Sequence, residues 1–188
     1  MTLGFLNSSP LKATVLLINR DLQFTHIYNI WCLNNMLEII NQDKPYGAKL
    51  VSLSSFAKGD LIWQFSEYKI LSTPTRLTIQ IGRDAHIEDL DKLAFINHSC
   101  RPNVVVDVKR LACYAAGEIQ ADDELAFFYP STEWNMLNPF VCLCGAPECI
   151  RLVAGAKYLT LDVLSRYHLN DHIYSEARAC LESMSVPG

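Results

Sequence analysis

A chain of 188 residues, of which 50% are hydrophobic, is long enough to bury the core of one substantial domain. Its formal net charge of −4 argues against direct nucleic-acid binding, which usually needs a basic surface, and it fits a cationic substrate better. No apolar run approaches the roughly 18 residues of a membrane span, so we expect no membrane association and an intracellular location.

The N-terminal part of the chain contains one segment with helical periodicity. From Thr25 to Asn41 the large apolar residues recur close to helical spacing, and Thr25 is available as an N-cap. We predict an amphipathic helix that packs against the main domain, inside an N-terminal helical extension covering residues 1–45. Polar residues and Pro45 follow this segment, which predicts that the helix ends there.

Short strands dominate the middle of the sequence. Between Gly47 and Tyr129, short apolar runs are separated by turn-forming segments. Helical spacing returns at 154–169 and at 171–184, within a C-terminal helical extension that covers 153–188. The predicted fold class is therefore mainly β with flanking helices. The predicted strands are 49–52, 61–65, 77–81, 104–108, 112–115 and 125–128.

Three of the seven cysteines, Cys142, Cys144 and Cys149, lie within eight residues. Gly145 and Pro147 between the second and third thiols allow the backbone to fold around an ion. A structural zinc site needs four soft ligands, and an odd, clustered set of thiols suits a metal in a reducing compartment better than disulfides. We therefore predict a zinc site. Spacing does not choose among the candidates for its fourth ligand, which are Cys32, Cys100, Cys113 and Cys180.

A dense polar loop follows the apolar run Leu93-Ala94-Phe95-Ile96. It reads Asn97-His98-Ser99-Cys100-Arg101-Pro102-Asn103, and its histidine alone is a weak indication of catalysis. No Ser-His-Asp order or nucleophile elbow accompanies it, which argues against a hydrolase. No glycine-rich loop opens a helix, which argues against a nucleoside-triphosphate enzyme.

Three segments together resemble the SET-domain lysine methyltransferases. The run from Phe95 to Asn103 resembles the Asn-His-Ser-Cys signature of that family. Asp123-Glu124-Leu125-Ala126-Phe127-Phe128-Tyr129 is similar to its Gly-Glu-Glu-Leu-Thr-Phe-x-Tyr segment, and the stretch from Cys142 to Cys149 resembles its post-SET cysteine segment. The resemblance covers about 47 to 170. A compact SET subgroup of bacteria and fungi is also similar in the run Phe128-Tyr129-Pro130-Ser131-Thr132-Glu133-Trp134.

This resemblance implies a β-clip fold with a threaded C-terminal segment, a SET domain at 46–135 and a post-SET zinc segment at 136–152. It also implies methyl transfer from S-adenosylmethionine to a lysine amine by direct displacement, in which the protein mainly aligns the reactants. Tyr129 would sit at the methyl-transfer point, and Leu143 would pack on the adenine. The implied cofactor-binding residues are Gly47, Asn97, His98 and Leu143. The implied ligands of a structural zinc are Cys100, Cys142, Cys144 and Cys149.

The sequence departs from the family pattern at the first cofactor element. Where the family has Gly-x-Gly, this chain has Gly47-Ala48-Lys49, so a long side chain stands where the backbone should approach the cofactor closely. The leading hypothesis is methylation of a protein lysine. The alternatives are a SET scaffold repurposed as a small-molecule tailoring enzyme of a biosynthetic pathway, and a non-catalytic binding module. Candidates to line an apolar acceptor channel are Phe127, Phe128, Trp134 and Phe140.

Overall fold

The architecture is that of a computed structural model, which describes residues 36–41, 47–89 and 91–184. No helix in this part of the chain is both long and apolar enough to cross a membrane. The strands are β1 (Leu37–Asn41), β2 (Ala48–Ser52), β3 (Leu61–Gln64), β4 (Tyr68–Leu71), β5 (Thr78–Gly82), β6 (Ala85–Asp89), β7 (Asn97–His98), β8 (Val104–Asp107), β9 (Ala112–Ala115), β10 (Ala126–Phe127), β11 (Phe140–Val141) and β12 (Leu152–Val153). The helices are α1 (Leu161–Leu164) and α2 (Asp171–Met184), and 3-10 helices lie at Leu93–Phe95, Tyr129–Ser131 and Ala156–Tyr158.

These strands form small sheets. The hairpin of β1 and β2 pairs Leu37 with Ser52 and Asn41 with Ala48. A three-stranded sheet has the order β4-β6-β5, and a five-stranded sheet has the order β3-β9-β8-β10-β7. Strands β11 and β12 form a further pair. The fold is therefore mainly β, as the sequence predicts.

Strand β10 is threaded between β7 and β8. It runs parallel to both: Ala126 and Phe127 lie opposite Asn97 and His98, and Phe127 also lies opposite Val104. Parallel neighbours need a long connection, because a tight hairpin can make only antiparallel pairs. Here the chain leaves β7, forms β8 and β9, and re-enters the sheet between β7 and β8. This is the threaded architecture expected from the resemblance.

The main hydrophobic core joins three of the sheets. Its most deeply buried side chains include Leu50 of β2, Trp63 of β3, Ile87 of β6 and Val106 of β8, each at most 2% exposed. Burying such a side chain stabilises a fold by roughly 1.5–3 kcal/mol. The β-branched and aromatic composition of these strands suits alternate packing on this core, which explains why they form.

A second buried cluster attaches the C-terminal segment to the sheets. Phe128, Leu164 and Ile173 pack together in it. The ring of Phe128 stacks on that of Tyr167, with the centroids 3.6 Å apart and the planes 6° from parallel. The residue that precedes Tyr129 is thus held by the C-terminal part of the chain.

Asn170 fixes the start of α2. Its Nδ2 donates to the carbonyl oxygens of Val106 at 2.9 Å and Ser131 at 3.0 Å. Its Oδ1 accepts a hydrogen bond from the backbone N–H of Val108 at 3.0 Å. One buried amide therefore ties α2 to β8 and to the 3-10 helix that begins at Tyr129.

The predicted helix from Thr25 to Asn41 is wrong where the structure describes it. Leu37–Asn41 forms β1 and pairs with β2 along its whole length. Residues 25–35 of this helix, and all of the predicted helical extension at 1–45 except 36–41, lie outside the described residues. Over so few residues the apolar spacing fits either period, and pairing with β2 decides in favour of a strand.

One of the two predicted C-terminal helices is confirmed. Helix α2 spans the predicted 171–184. The segment 154–169 is not one helix, since it contains only a 3-10 helix and the single turn α1. Gly155 has a φ of 113°, outside the helical range, and it packs closely against the backbone of Trp134. The sequence pattern also does not predict β4, β6, β7, β11 or β12.

Gly155→Ala should destabilise the fold. A Cβ at this position would lie 2.5 Å from the carbonyl oxygen of Trp134, and a φ of 113° is strained for any L side chain. We expect the free energy of unfolding, measured by urea denaturation, to fall by at least about 2 kcal/mol. Gly117→Ala is the control, because nothing lies within 4 Å of a Cβ there. Equal losses in the two variants would contradict the packing of Gly155.

Candidate cofactor and metal site

Four cysteine thiols converge at one end of β7. The sulfurs of Cys100, Cys142, Cys144 and Cys149 all lie within 4.8 Å of one another. The Sγ atoms of Cys100 and Cys142 are 3.9 Å apart. In a tetrahedral zinc site with Zn–S bonds of ~2.3 Å, neighbouring sulfurs are separated by about 3.8 Å. This four-thiol group therefore has the dimensions of a tetrahedral metal site.

The structure separates Cys100 from the other candidates for the fourth thiol. Cys113 is buried in the main core and Cys180 lies on α2, and neither belongs to the four-thiol group. Cys32 lies outside the described residues. Cys100 is therefore the thiol that completes the group, as the resemblance implies.

The four-thiol group favours a bound cation. Burial raises the pKa of the Cys100 thiol, and the adjacent Cys142 raises it further. The backbone N–H of Ile150 points at Cys100 Sγ from 3.5 Å. Thiolates repel one another at these distances, so they can be deprotonated together only when a metal ion balances their charge.

His98 connects the four-thiol group to Tyr129. Its Nδ1 accepts a hydrogen bond from the backbone N–H of Tyr129 at 3.2 Å, and its Nε2 lies 3.3 Å from Cys100 Sγ. Burial lowers the pKa of His98 to about 4, so the imidazole is neutral at pH 7 and carries one hydrogen. Because Nδ1 accepts, the hydrogen-bond pattern assigns this hydrogen to Nε2, which donates to the sulfur.

The side chain of Tyr129 is held in one orientation. Its hydroxyl donates to the carbonyl oxygen of Ile96 at 2.9 Å. The rings of Phe127, His98 and Phe140 surround it, with centroids 4.7, 5.3 and 6.0 Å from that of Tyr129. Two of the four predicted channel aromatics therefore contact Tyr129. The other two, Phe128 and Trp134, pack in the second buried cluster.

The Tyr129 hydroxyl is a neutral group at physiological pH. Burial, with a further contribution from the charge of Glu133, raises the pKa of Tyr129 to about 12. The phenol therefore keeps its hydrogen and donates it in a hydrogen bond to the carbonyl oxygen of Ile96. The oxygen lone pairs are then the part of the hydroxyl available to a ligand.

Asn97 joins the first cofactor element to the threaded segment. Its Nδ2 donates to Glu124 Oε1 at 2.8 Å and, at a longer 3.4 Å, to the carbonyl oxygen of Ala48. Gly47 has a φ of 76°, and no atom of the described residues lies within 4 Å of where its Cβ would be. The predicted cofactor residues Gly47 and Asn97 are thus close in space, with room beside them. Glu124, to which the sequence assigned no separate role, orients the Asn97 amide.

An apolar strip adjoins the four-thiol group. Phe140, Val141 and Leu143 are 37%, 66% and 73% exposed. The ring of Phe140 lies 5.9 Å from that of His98, and Leu143 stands between Cys142 and Cys144. A planar apolar ligand would cover such a strip. Together with the space at Gly47, this fits S-adenosylmethionine, which has a polar amino-acid part and an aromatic base.

Glu133 and Gln80 form a polar network that sequence reasoning did not identify. Oε1 of Glu133 accepts hydrogen bonds from the backbone N–H of Gln80 at 2.8 Å and from the Thr132 hydroxyl at 3.2 Å. The side-chain Oε1 of Gln80 accepts from the backbone N–H of Trp134 at 2.9 Å. Burial of the carboxylate raises the pKa of Glu133 to about 7. The only sequence signal was an isolated acid among the aromatic residues after Tyr129.

A cavity of about 950 Å³ is lined by residues that include Cys100, Tyr114 and Arg166, but not Gly47, Asn97, His98 or Tyr129. Each of its three arginines pairs with an acid of the same chain. Arg101 pairs with Glu148 at 2.9 Å, Arg110 with Asp107 at 2.6 Å, and Arg166 with Asp162. This cavity therefore lacks the polar groups that converge around Tyr129.

Comparisons with known proteins find similar sequences in one family. A family model described as SET domain matches residues 47–130. The chain is similar to Methyltransferase flvH of Aspergillus flavus, with 36% identity over 139 residues that cover 73% of this chain and 78% of that protein. It is also similar to the Histone-lysine N-methyltransferase, H3 lysine-4 specific, of Emericella nidulans. That match has 39% identity over 62 residues, which are 29% of this chain and 5% of that protein.

Solved structures with a similar fold include the methyltransferase domain of human Histone-lysine N-methyltransferase SETMAR. The TM-score is 0.47 and the identity 20%, over 63% of this chain and 58% of that one. Another is KRYPTONITE in complex with mCHG DNA and SAH, with a TM-score of 0.48 and 24% identity. The match covers 62% of this chain and spans 28% of that chain.

Replacing one thiol of the four-thiol group should release the metal. We expect one zinc per wild-type chain, measured by elemental mass spectrometry after dialysis, and less than about 0.2 per chain for Cys142→Ser, because three thiolates bind zinc much more weakly than four. Cys180→Ser is the matched control and should keep its zinc. Full zinc content in Cys142→Ser would show that the four thiols do not form the site.

Proposed function

Because the chain belongs to the SET-domain methyltransferase family, we propose that it transfers a methyl group from S-adenosylmethionine to the nitrogen of a lysine-type alkyl amine. The family match over 47–130 and the 36% identity to a fungal methyltransferase support methyl transfer. The single observation that best supports an amine acceptor is the orientation of Tyr129. Its hydroxyl donates its hydrogen to the carbonyl oxygen of Ile96, so its lone pairs are the part that can accept a hydrogen bond from an amine.

Tyr129 would act by alignment. Its oxygen can accept a hydrogen bond from the amine and contact the polarised methyl group, and such C–H···O contacts contribute ~0.5–1 kcal/mol each. With its pKa raised to about 12, Tyr129 is unsuited to act as the base at neutral pH. The rate would come from holding the nitrogen in line with the methyl carbon.

The cofactor would be held by Gly47, Asn97, His98 and Leu143. When bound, S-adenosylmethionine supplies an electrophilic methyl group on a positively charged sulfur. The space beside Gly47 would admit its amino-acid part, and Asn97, oriented by Glu124, would lie next to it. Lys49 is half-buried in β2, one residue beyond Ala48, and the proposal requires its side chain to leave this space open.

Zinc would brace this pocket without taking part in the chemistry. Cys100, Cys142, Cys144 and Cys149 would bind it, which fixes Leu143 between two ligands. His98 would link the metal ligand Cys100 to Tyr129, because its ring bonds to both residues. The bound metal would therefore help to fix the position of Tyr129. We assign 46–135 to the SET domain, 136–152 to a post-SET segment, and 1–45 and 153–188 to extensions.

The lysine type of the acceptor is supported by the histone-lysine methyltransferases among the relatives, although the match covers 5% of one such protein. A non-catalytic binding module would not need the oriented hydroxyl of Tyr129. A repurposed scaffold acting on a small amine uses the same alkyl ammonium chemistry as a lysine side chain. The proposed reaction is therefore common to both sources of the amine.

Tyr129→Phe tests the proposed reaction. The variant keeps the aromatic ring packed against Phe127 but removes the hydroxyl, so we expect kcat to fall at least about 100-fold while the Kd for S-adenosylmethionine changes less than about threefold. Transfer is measured with methyl-labelled cofactor, using a lysine-rich protein and free alkyl amines as acceptors. Binding is measured by calorimetry on the zinc-loaded protein.

Tyr158→Phe is the control, because its hydroxyl bonds to Asn135 on an exposed part of the chain. It should keep wild-type activity. The proposed function is wrong if the zinc-loaded protein does not bind S-adenosylmethionine, or if Tyr129→Phe transfers methyl groups at the wild-type rate.

A further inference from the structure

Strand β5 has an outer edge that the chain itself occupies. It is the last strand of the β4-β6-β5 sheet, and it pairs with β6 on its other side. At Gln80 the backbone N–H bonds to Glu133 Oε1 at 2.8 Å, and the Gln80 side chain receives the N–H of Trp134 at 2.9 Å. An exposed edge of this kind is the usual place for an extended peptide to add as a strand. Here the backbone N–H of Gln80, which such a peptide would need as a hydrogen-bond donor, already bonds to Glu133.

Glu133 also lies beside Tyr129. Its backbone N–H donates to the carbonyl oxygen of Tyr129 at 3.0 Å, which sets the two residues one turn apart on the same segment. Burial raises the pKa of Tyr129 most, and the charge of Glu133 adds to this rise. Glu133 therefore belongs to the same turn as Tyr129, the residue beside which the acceptor nitrogen would sit.

The Glu133 carboxylate has capacity for a cation. Both hydrogen bonds described for its side chain fall on Oε1. No lysine or arginine of residues 36–41, 47–89 and 91–184 lies within 4 Å of it as an ion-pair partner. A desolvated carboxylate without a cation is unfavourable, and a bound ammonium group would relieve this.

We propose that Glu133 binds the ammonium group of the acceptor and takes up its proton, and that the acceptor is a free alkyl amine rather than a lysine within an extended polypeptide. This inference rests on the proposed methyltransferase function and names the substrate class of the same site. A small amine needs no backbone pairing with β5, so its binding would not compete with the hydrogen bond from Gln80 to Glu133. A polypeptide strand would have to displace Glu133 from Gln80 first.

The chemical step balances as follows. One proton moves from the R–NH3+ group of the acceptor to the Glu133 carboxylate, which gives R–NH2 and a neutral carboxylic acid. The nitrogen lone pair then forms a bond to the methyl carbon as the carbon–sulfur bond breaks, and that electron pair stays on sulfur. The products are R–NH2CH3+ and S-adenosylhomocysteine, and Glu133 afterwards releases its proton to water.

The groups around Glu133 leave it as the proton acceptor near neutral pH. Tyr129 is protonated there, and burial lowers the pKa of His172, whose Nε2 lies 2.7 Å from the Thr132 carbonyl oxygen. Burial and the charge of Glu133 raise the pKa of Tyr129, and the charge of Arg76 opposes them. Burial raises the pKa of Glu133 to about 7, which suits a group that accepts and returns a proton.

The pH dependence of kcat/KM tests the role of Glu133. In the wild type, kcat/KM for a free alkyl amine should rise as Glu133 loses its proton near pH 7 and then stay level to about pH 9, because the ammonium form is the one that binds. In Glu133→Gln the enzyme must capture the rare neutral amine, whose pKa in solution is about 10.4. Its kcat/KM should fall about 100-fold at pH 7.5 and rise tenfold per pH unit from 7 to 9.

The probes are cadaverine and free lysine, compared with a lysine-containing peptide and an unfolded lysine-rich protein, all with methyl-labelled cofactor. We expect kcat/KM for a free amine to exceed that for the peptide by at least about 100-fold. Glu133→Asp should retain the level pH profile at reduced rate, and Glu118→Gln, an exposed glutamate, should match the wild type. Unchanged S-adenosylmethionine affinity shows that each variant is folded.

The outcomes separate this inference from the proposed function. If the wild type methylates amines but Glu133→Gln keeps its rate and level pH profile, Glu133 is not the proton acceptor. If the peptide is methylated as well as the free amines, the closed edge does not select the substrate. In both cases the methyltransferase function stands. A wild type that binds no S-adenosylmethionine, or that methylates none of these acceptors, overturns both proposals.

Discussion

The insertion of β10 between β7 and β8 is the constraint on which the site depends. Without it, Asn97 and His98 would lie on one strand and Tyr129 would follow another about thirty residues later, with nothing to bring them together. Parallel pairing on both sides of β10 fixes their register to within one residue. The hydrogen bond from the Tyr129 N–H to His98 then sets the direction of the chain as it leaves the sheet.

Two polar networks meet at Tyr129. One runs through His98 to Cys100 and ties the tyrosine to a group that needs a cation to hold its thiolates together. The other runs through Glu133 to Gln80 and sets a carboxylate against the edge of β5. The first network suits a structural role, because it fixes positions. The second suits binding of the amine that accepts the methyl group, because its carboxylate has no ion-pair partner among the described residues.

The local parts of the site could be predicted from the sequence, because their chemistry depends on close spacing. Cys142, Cys144 and Cys149 form such a group. The roles of Asn97 and His98 are implied only by the resemblance. Cys100 could be chosen only through the resemblance, because it meets Cys142 across 42 residues. The contact of Glu133 with Gln80 spans 53 residues and depends on where the edge of β5 falls, which no local pattern encodes. The strand Leu37–Asn41 was misassigned for the same reason, since its partner β2 decides its structure.

A crystal structure of the zinc-loaded chain with S-adenosylhomocysteine is the most direct test of where the cofactor binds. We expect the sulfur to point toward the hydroxyl of Tyr129, the amino-acid part to lie against Gly47 and Asn97, and the adenine to lie against Leu143. Binding in the cavity lined by Tyr114 and Arg166 would contradict this. So would a zinc-loaded structure in which the space beside Gly47 is filled by the side chain of Lys49.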